Sequence, residues 1–192
     1  MSDAPTLIFD FDSTLVGFET LEALAELALE GTPEAGTIRA EIAALTDQAM
    51  SGGLGFDEAL TRRLTLLPLT RDHVQTLADQ AVARLAPSVA RNVETLRAHA
   101  ERLVIVSGGF REVIAPVARH LGVPDARVLA NDLTYDDAGR VTGVDRANPL
   151  SADGGKVTAI RALGLSRPVV MIGDGWTDAE VRLAGLADRF HA

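Results

Sequence analysis

Three short apolar segments of this 192-residue sequence each run directly into a turn of polar or glycine residues. They lie at 6–9, 103–106 and 169–172, before Asp-Phe-Asp at 10–12, Ser-Gly-Gly at 107–109 and Gly-Asp-Gly at 173–175. A short apolar run without alternation is typical of a strand that is buried on both faces of a parallel sheet. Because helical sequence follows each turn, we predict an α/β fold, with a Rossmann-like parallel sheet core flanked by helices.

Weaker patterns add further strands to this core. Residues 128–130 and the segment around Phe190 are predicted to be strands, and the turn at 136–140 lies between two short polar strands. We expect these two polar strands to form an exposed hairpin.

Residues 19–85 read as a series of helices, with breaks at Gly31, at 51–55 and at Pro68. This stretch lies between the first and second strands and is too long for one crossover connection. We therefore predict an α/β catalytic core of residues 1–15 and 86–192, and a small helical cap of residues 16–85 inserted after the first strand.

Charge and composition exclude several classes of function. The net charge is 18 − 27 = −9, which argues against nucleic acid or an anionic membrane as a partner. No apolar run approaches the roughly 20 residues that span a bilayer, and Met-Ser-Asp-Ala-Pro at the start lacks the features of a signal peptide. The absence of cysteine excludes disulfides and thiolate chemistry. We expect a cytoplasmic protein.

Carboxylates follow the first and last of the three apolar strands. Ligands of an open parallel sheet bind at the carboxyl ends of its strands, and these ends carry Asp10, Asp12 and Asp174, with Asp178 just beyond. Four converging carboxylates repel one another, and a divalent cation removes that conflict. An all-oxygen site of this kind suits Mg²⁺.

An anion site is predicted beside these carboxylates. Ser107-Gly108-Gly109 is predicted to open a helix, whose free N–H groups and positive dipole end favour an anion, and glycine allows a ligand to approach the backbone. Of the 18 basic residues, 17 are arginine, and the one lysine, Lys156, stands near the start of another helix. A carboxylate nucleophile, a second carboxylate, a metal and anion donors together favour phosphoryl transfer.

These segments resemble, in order, the four motifs of the haloacid dehalogenase-like superfamily: Asp-Phe-Asp-Ser-Thr at 10–14, Ser-Gly-Gly at 107–109, Lys156, and Gly-Asp-Gly-Trp-Thr-Asp at 173–178. Glu19, Met50-Ser51-Gly52, Phe56 and Arg62-Arg63-Leu64 are similar to the small cap of phosphoserine phosphatases. The resemblance covers nearly the whole chain. It implies Mg²⁺-dependent hydrolysis of O-phosphoserine in L-serine biosynthesis, with an aspartyl-phosphate intermediate.

The resemblance also implies roles for the acidic residues. Asp10 would be the nucleophile and Asp12 the general acid and base. Mg²⁺ would be held by Asp10, Asp174 and the backbone carbonyl of Asp12, with Asp178 supporting the site.

The remaining positions that the resemblance implies would contact the substrate. Its phosphate would meet Ser107, Gly108 and Lys156, its ammonium Glu19 and its carboxylate Arg63, while the pocket would be completed by Met50, Phe56, Gly109 and Thr177.

Several alternatives stay open at this point. Arg62 competes with Arg63 for the carboxylate, Met50 and Phe56 could be core residues, and Trp176-Thr177 stands where many relatives have Ala-Asn. The substrate could be another small phosphomonoester, or the phosphoryl group could pass to an acceptor such as homoserine. A phospho-accepting module without turnover is a further alternative. The chain could be a monomer or a homodimer.

Overall fold

The structure, a computed structural model, describes residues 4–50 and 53–192, but not the side chain of Met50. The strands are β1 (Thr6–Phe9), β2 (Leu103–Phe110), β3 (Val128–Asn131), β4 (Leu133–Tyr135), β5 (Val141–Val144), β6 (Val169–Ile172) and β7 (Arg189–His191). The helices are α1 (Thr20–Ala28), α2 (Ala35–Met50), α3 (Phe56–Leu66), α4 (Arg71–Ala81), α5 (Pro87–Arg91), α6 (Val93–Arg97), α7 (Arg111–His120), α8 (Gly155–Leu163) and α9 (Trp176–Leu183). Among these described helices, none combines the length and apolar character needed to cross a membrane.

A five-stranded parallel sheet forms the core, in the order β3-β2-β1-β6-β7. The three apolar runs are its central strands: Ile8 of β1 lies in register with Val104 of β2 and Met171 of β6. All three side chains are fully buried, as expected for strands covered on both faces. The predicted α/β fold is confirmed.

Alternate residues of the central strands enter two separate apolar layers. Ile8, Val104 and Met171 pack with Ile160 of α8 and Val181 of α9 on one face. The other face packs against a larger cluster, contributed mainly by α7 and by helices of the predicted cap. Covering both faces leaves the carboxyl edge of the sheet as the place where polar side chains gather.

The two ends of the predicted cap lie side by side. Val16 forms an antiparallel bridge with Leu85, and the Gly17 N–H donates to the Arg84 carbonyl over 3.0 Å. Helix α4 packs against α7 of the core, whereas α2 packs against α3. An insert that leaves and rejoins the core at one point is the arrangement that the sequence predicts, and its boundaries stay a prediction.

The hairpin β4–β5 is less exposed than its polar sequence predicts. Its strands pair antiparallel, but Leu133 and Val144 are buried. The Val141 N–H donates to the Leu69 carbonyl over 2.9 Å, and the Arg71 N–H donates to the Gly139 carbonyl over 2.8 Å. The predicted hairpin is present, and Thr134 and Thr142 are exposed on one of its faces. The expectation that it is exposed as a whole is wrong, because residues 69–71 pair with one of its strands and α3 packs against β5.

Candidate active site

A cavity of about 830 Å³ opens at the carboxyl ends of β1, β2 and β6. Most of the residues that the sequence singles out line it: Asp10, Asp12, Glu19, Phe56, Arg63, Ser107, Gly108, Gly109, Lys156, Asp174 and Thr177. Asp178 lies against this wall, bonded to Lys156. The side chain of Met50 is outside the described part of the chain, so its role stays a prediction. Parallel strands end at one edge of a sheet, which is why segments so distant in sequence meet here.

Lys156 joins two of the carboxylates. Its Nζ lies 2.9 Å from Oδ2 of Asp10 and donates to Oδ1 of Asp178 over 2.6 Å. All three residues are buried, and Asp178 is completely so. Burial alone would lower the pKa of Lys156, but the two carboxylates outweigh it and raise that pKa. The amine is therefore a fixed positive charge beside Asp10.

Asp10 keeps its charge at neutral pH despite its burial. Burial raises the pKa of its carboxyl from 3.8 to about 6, against the lowering influence of the Lys156 charge. The Phe11 N–H donates to Oδ1 of Asp10 over 2.7 Å and helps to hold the side chain. At pH 7 the carboxyl is mostly ionised, which is the form that a nucleophile needs.

Asp178 is fixed by the glycines around it. The Gly175 N–H donates to its Oδ2 over 3.1 Å. A Cβ atom at Gly173 would lie only 2.4 Å from Cγ of Asp178, so position 173 has no room for a side chain. This close approach explains the glycine at the end of β6.

Three carboxylates of this cluster fit a divalent cation. Asp10, Asp174 and Asp178 each offer an oxygen atom, and these atoms lie within 4.8 Å of one another. Asp174 is exposed to the cavity, unlike its two neighbours. The single charge of Lys156 does not balance the three carboxylates. Oxygen ligands in excess negative charge suit a hard cation.

Asp12 is bound by a residue that the sequence reasoning did not single out. Thr20, at the start of α1, donates to Oδ1 of Asp12 through its N–H over 3.1 Å and also through its hydroxyl. Burial raises the pKa of Asp12 from 3.8 to about 8, although the Thr20 hydroxyl lowers it. Asp12 is therefore mostly protonated at pH 7, in contrast to Asp10.

We expect the raised pKa of Asp12 to make the metal-free protein lose stability as the pH rises. A group whose pKa is higher in the folded state stabilises that state below its unfolded pKa and stops doing so above its folded pKa. Asp10 also causes stability to fall with rising pH, but only up to its pKa of about 6. The loss of stability from pH 6 to about 8 is therefore due to Asp12. Chemical denaturation in a chelator should show the free energy of unfolding falling between pH 6 and 8, and falling less in Asp12→Asn. Equal slopes would contradict this prediction.

Ser107, Gly108 and Gly109 belong to β2, which continues to Phe110, so α7 begins two residues after Gly109 and the expectation that they open the helix is wrong. The Gly109 N–H donates to Oγ of Ser107 over 2.9 Å. A Cβ at Gly109 would lie 3.4 Å from Oδ2 of Asp12, and one at Gly108 would lie 3.3 Å from Cζ of Phe56. The glycines therefore let the backbone, the acid and the aromatic ring of α3 come close together.

The cap supplies acidic side chains and the cation Arg63 to the cavity. Glu19 is exposed and accepts a hydrogen bond from the Ser13 hydroxyl. Burial lowers the pKa of Arg63, and the negative charges of Glu22 and Glu19 partly offset this decrease. Arg62 instead points outward and pairs with Glu58 on its own helix. The structure thus favours Arg63 over its neighbour as the cation that faces the cavity.

Trp176, which the sequence marks as unusual without giving it a role, stands in the cavity wall with 69% of its surface exposed. Three other lining residues gave no clear signal in the sequence. Glu22 and Thr46 also line the cavity, as does Asp153 from the loop before α8. Their positions depend on contacts between distant segments, although the helical spacing from Glu19 to Glu22 could have indicated that residue.

Comparisons with known proteins agree with this arrangement. The family model for haloacid dehalogenase-like hydrolases matches residues 7–181. The chain is 34% identical to the phosphoserine phosphatase of Mus musculus, over 92% of this chain and 76% of that protein. The chain belongs to the haloacid dehalogenase-like hydrolases, in their phosphoserine phosphatase branch. The membership that the sequence motifs predicted is confirmed.

Two further members of this family are similar to the chain. The chloroplastic phosphoserine phosphatase of Arabidopsis thaliana is 37% identical over 95% of this chain, which spans 60% of that protein. A solved structure described as a phospho-aspartyl intermediate analogue of phosphoserine phosphatase superposes on this chain with a TM-score of 0.69 at 28% identity. The superposition covers 98% of this chain and 93% of the chain in that structure. The family fold therefore extends over nearly all of the chain.

Proposed function

We propose that this chain is a phosphoserine phosphatase, which hydrolyses O-phosphoserine to serine and phosphate through an aspartyl-phosphate at Asp10. The observation that carries the proposal is the position of the Asp10 carboxylate, 2.9 Å from the buried amine of Lys156, in a cavity that also holds Glu19 and Arg63. The names of the relatives support the substrate. We further propose that the reaction belongs to L-serine biosynthesis in the cytoplasm.

In the first step, an oxygen of Asp10 attacks phosphorus and the bond from phosphorus to the serine oxygen breaks. Asp12 gives its proton to that oxygen as serine leaves. In the metal-free protein, burial raises the pKa of Asp12 to about 8 and that of Asp10 only to about 6, so Asp12 is the carboxyl that holds its proton more strongly. Two carboxyl groups with pKa values pushed apart by their surroundings are suited to separate acid and nucleophile roles.

In the second step, water attacks the phosphorus of the acyl-phosphate and the bond to Asp10 breaks. Asp12, now a carboxylate, takes the proton from the water and returns to its starting form. Ser107, the Gly108 N–H and Lys156 would hold the phosphoryl oxygens throughout. Mg²⁺, held by Asp10, Asp174 and the Asp12 carbonyl with support from Asp178, would neutralise charge on the phosphoryl group.

The cap would select the amino-acid end of the substrate. Phosphoserine carries an anion at each end and a cation between them. Glu19 offers a charge that matches its ammonium, and the Arg63 guanidinium can grip its carboxylate with two hydrogen bonds. Phe56 and Thr177 complete the wall around the ester in this proposal.

Replacing Arg63 with methionine should damage turnover of phosphoserine much more than turnover of p-nitrophenyl phosphate, which has no carboxylate at that end. Loss of the partly buried pair between Arg63 and the substrate carboxylate should lower kcat/KM for phosphoserine by about a hundredfold. Arg62→Met is the matched control, because Arg62 is exposed and paired with Glu58. Equal losses on both substrates, or none, would show that the amino-acid assignment is wrong.

The metal proposal is tested at Asp174. This carboxylate is exposed and lies in the acidic cluster, so Asp174→Asn should leave the melting temperature nearly unchanged. We expect it to raise the Mg²⁺ concentration needed for half-maximal phosphate release by about tenfold or more. Chelated wild-type protein should release no phosphate until Mg²⁺ is returned. Full activity in the presence of chelator would overturn the proposal.

A further inference from the structure

Helix α3 begins without a capping side chain of its own. Its N-cap residue is Gly55, which makes no side-chain hydrogen bond. The first N–H groups of a helix have no partner within the helix, and a nearby side-chain oxygen often accepts from them. Here the acceptor comes from 97 residues further along the chain: the Phe56 N–H donates to Oδ1 of Asp153 over 3.0 Å.

Both carboxylate oxygens of Asp153 face the start of this helix. Oδ2 lies 3.5 Å from the position of a Cβ atom at Gly55. A negative charge at a helix N-terminus is stabilised by the helix dipole. Asp153 accepts from the first N–H of α3 and adds its charge to those of Asp57 and Glu58 in the first turn, but it does so from outside the cap.

The loop that carries Asp153 also leads to the phosphate-binding amine. Asp153 precedes Lys156 by three residues, and Gly155 between them lies against the core. A Cβ at Gly155 would be only 2.3 Å from the Pro149 carbonyl oxygen, so this end of the loop is tightly packed. Asp153 itself is exposed, so its carboxylate reaches the cap from the surface part of a loop whose far end, at Gly155, is packed against the core.

Phe56, whose N–H donates to Asp153, also places its ring against Gly108 of β2. Phe56 Cζ lies 3.3 Å from the Cβ position of Gly108. A second, weaker link joins the same regions, since Arg146 donates to Thr61 of α3 and lies 3.8 Å from Asp57. Both groups of that ion pair are more than half exposed, so we expect little stabilisation from it.

We propose that Asp153 is a positioning residue, which caps α3 across the boundary of the two regions and thereby holds Phe56 over Gly108 before substrate arrives. The consequence for turnover rests on the proposed function. Without this link, the cap spends less time in the arrangement that binds substrate, and the apparent affinity falls by the same fraction. Substrate that does bind restores the arrangement, so turnover at saturation is preserved.

Amide hydrogen exchange tests the contact without any reference to activity. In the ligand-free protein, Asp153→Ala should speed exchange at the start of α3 by about fivefold to tenfold, the size of effect expected from the loss of a helix cap. Asp153→Asn keeps an acceptor oxygen and should fall between the wild type and Asp153→Ala. Asp137→Ala removes an exposed carboxylate of the hairpin turn and is the matched control. Exchange equal to that of the control would overturn the inference.

Kinetics then separates positioning from simple structural damage. Asp153→Ala should raise KM for phosphoserine by about fivefold, with kcat within about twofold of wild type. Structural damage would instead lower kcat through loss of active protein and leave KM unchanged, and that result would contradict the inference. A wild-type protein that releases no phosphate from phosphoserine would overturn the proposed function, whereas the exchange result would still decide the role of Asp153.

Discussion

Asp10→Asn should abolish steady-state phosphate release from phosphoserine, with a loss of about 10⁴-fold or more for the removal of a catalytic nucleophile. The amide has nearly the shape of the carboxylate, but its nitrogen and oxygen are too weakly nucleophilic to attack phosphorus. It also removes one of the two negative charges that flank Lys156, and leaves the pair between Lys156 and Asp178 in place. We therefore expect a folded but inactive protein.

Binding by this variant can be measured separately from catalysis. Trp176 is the one tryptophan of the sequence and stands in the cavity wall, so its fluorescence should respond to phosphoserine. Asp10→Asn should keep this fluorescence response, and its circular dichroism spectrum should match that of the wild type. Phosphate release within about tenfold of wild type would mean that phosphorus is attacked by another group, such as water directly.

Lys156→Met should have the largest effect on stability. Methionine has a similar length but no charge, so two buried carboxylates, those of Asp10 and Asp178, lose their counter-ion. Breaking a buried ion pair by removing one partner costs about 3–5 kcal/mol. For a chain of this size, that corresponds to a fall of roughly 10 °C in Tm. Activity should be lost as well, because the phosphoryl oxygens lose a donor.

Two further variants make this prediction specific. Arg161→Met removes an exposed cation from the same helix, α8. We expect it to change the free energy of unfolding by no more than about 1 kcal/mol, and the Tm correspondingly little. Adding Asp178→Asn to Lys156→Met removes one of the two unpaired charges and should recover part of the lost stability in a double-mutant cycle. Equal Tm values for Lys156→Met and Arg161→Met would show that the buried carboxylates do not depend on the amine.

The residues at the centre of the site could be predicted from the sequence because they lie at the ends of the buried strands. An apolar run such as that at 169–172 indicates a buried strand, and the polar residue that follows must then lie at the carboxyl edge of the sheet. Helical spacing also supports the predicted choice of Arg63 over Arg62. Ala59 and Leu60 are buried, and a residue three or four positions later, Arg63, shares their face.

Contacts between distant segments were beyond the same reasoning. Nothing in the sequence near Gly55 indicates that the acceptor for α3 is Asp153, because that pairing depends on how the cap lies on the core. The hairpin shows the same limit: its strands look polar, yet Leu133 is buried by its surroundings. The hydrogen bonds from Thr20 to Asp12 arise because α1 starts beside the end of β1.

Chemical trapping of the intermediate tests the role of Asp10 most directly. Borohydride reduces an acyl-phosphate to an alcohol, so quenching during turnover of phosphoserine should convert residue 10 to homoserine. Peptide mass spectrometry should find this change at Asp10 in the wild type, and at no position in Asp10→Asn. Reduction at a different residue, or none during rapid turnover, would contradict capture of phosphorus by Asp10.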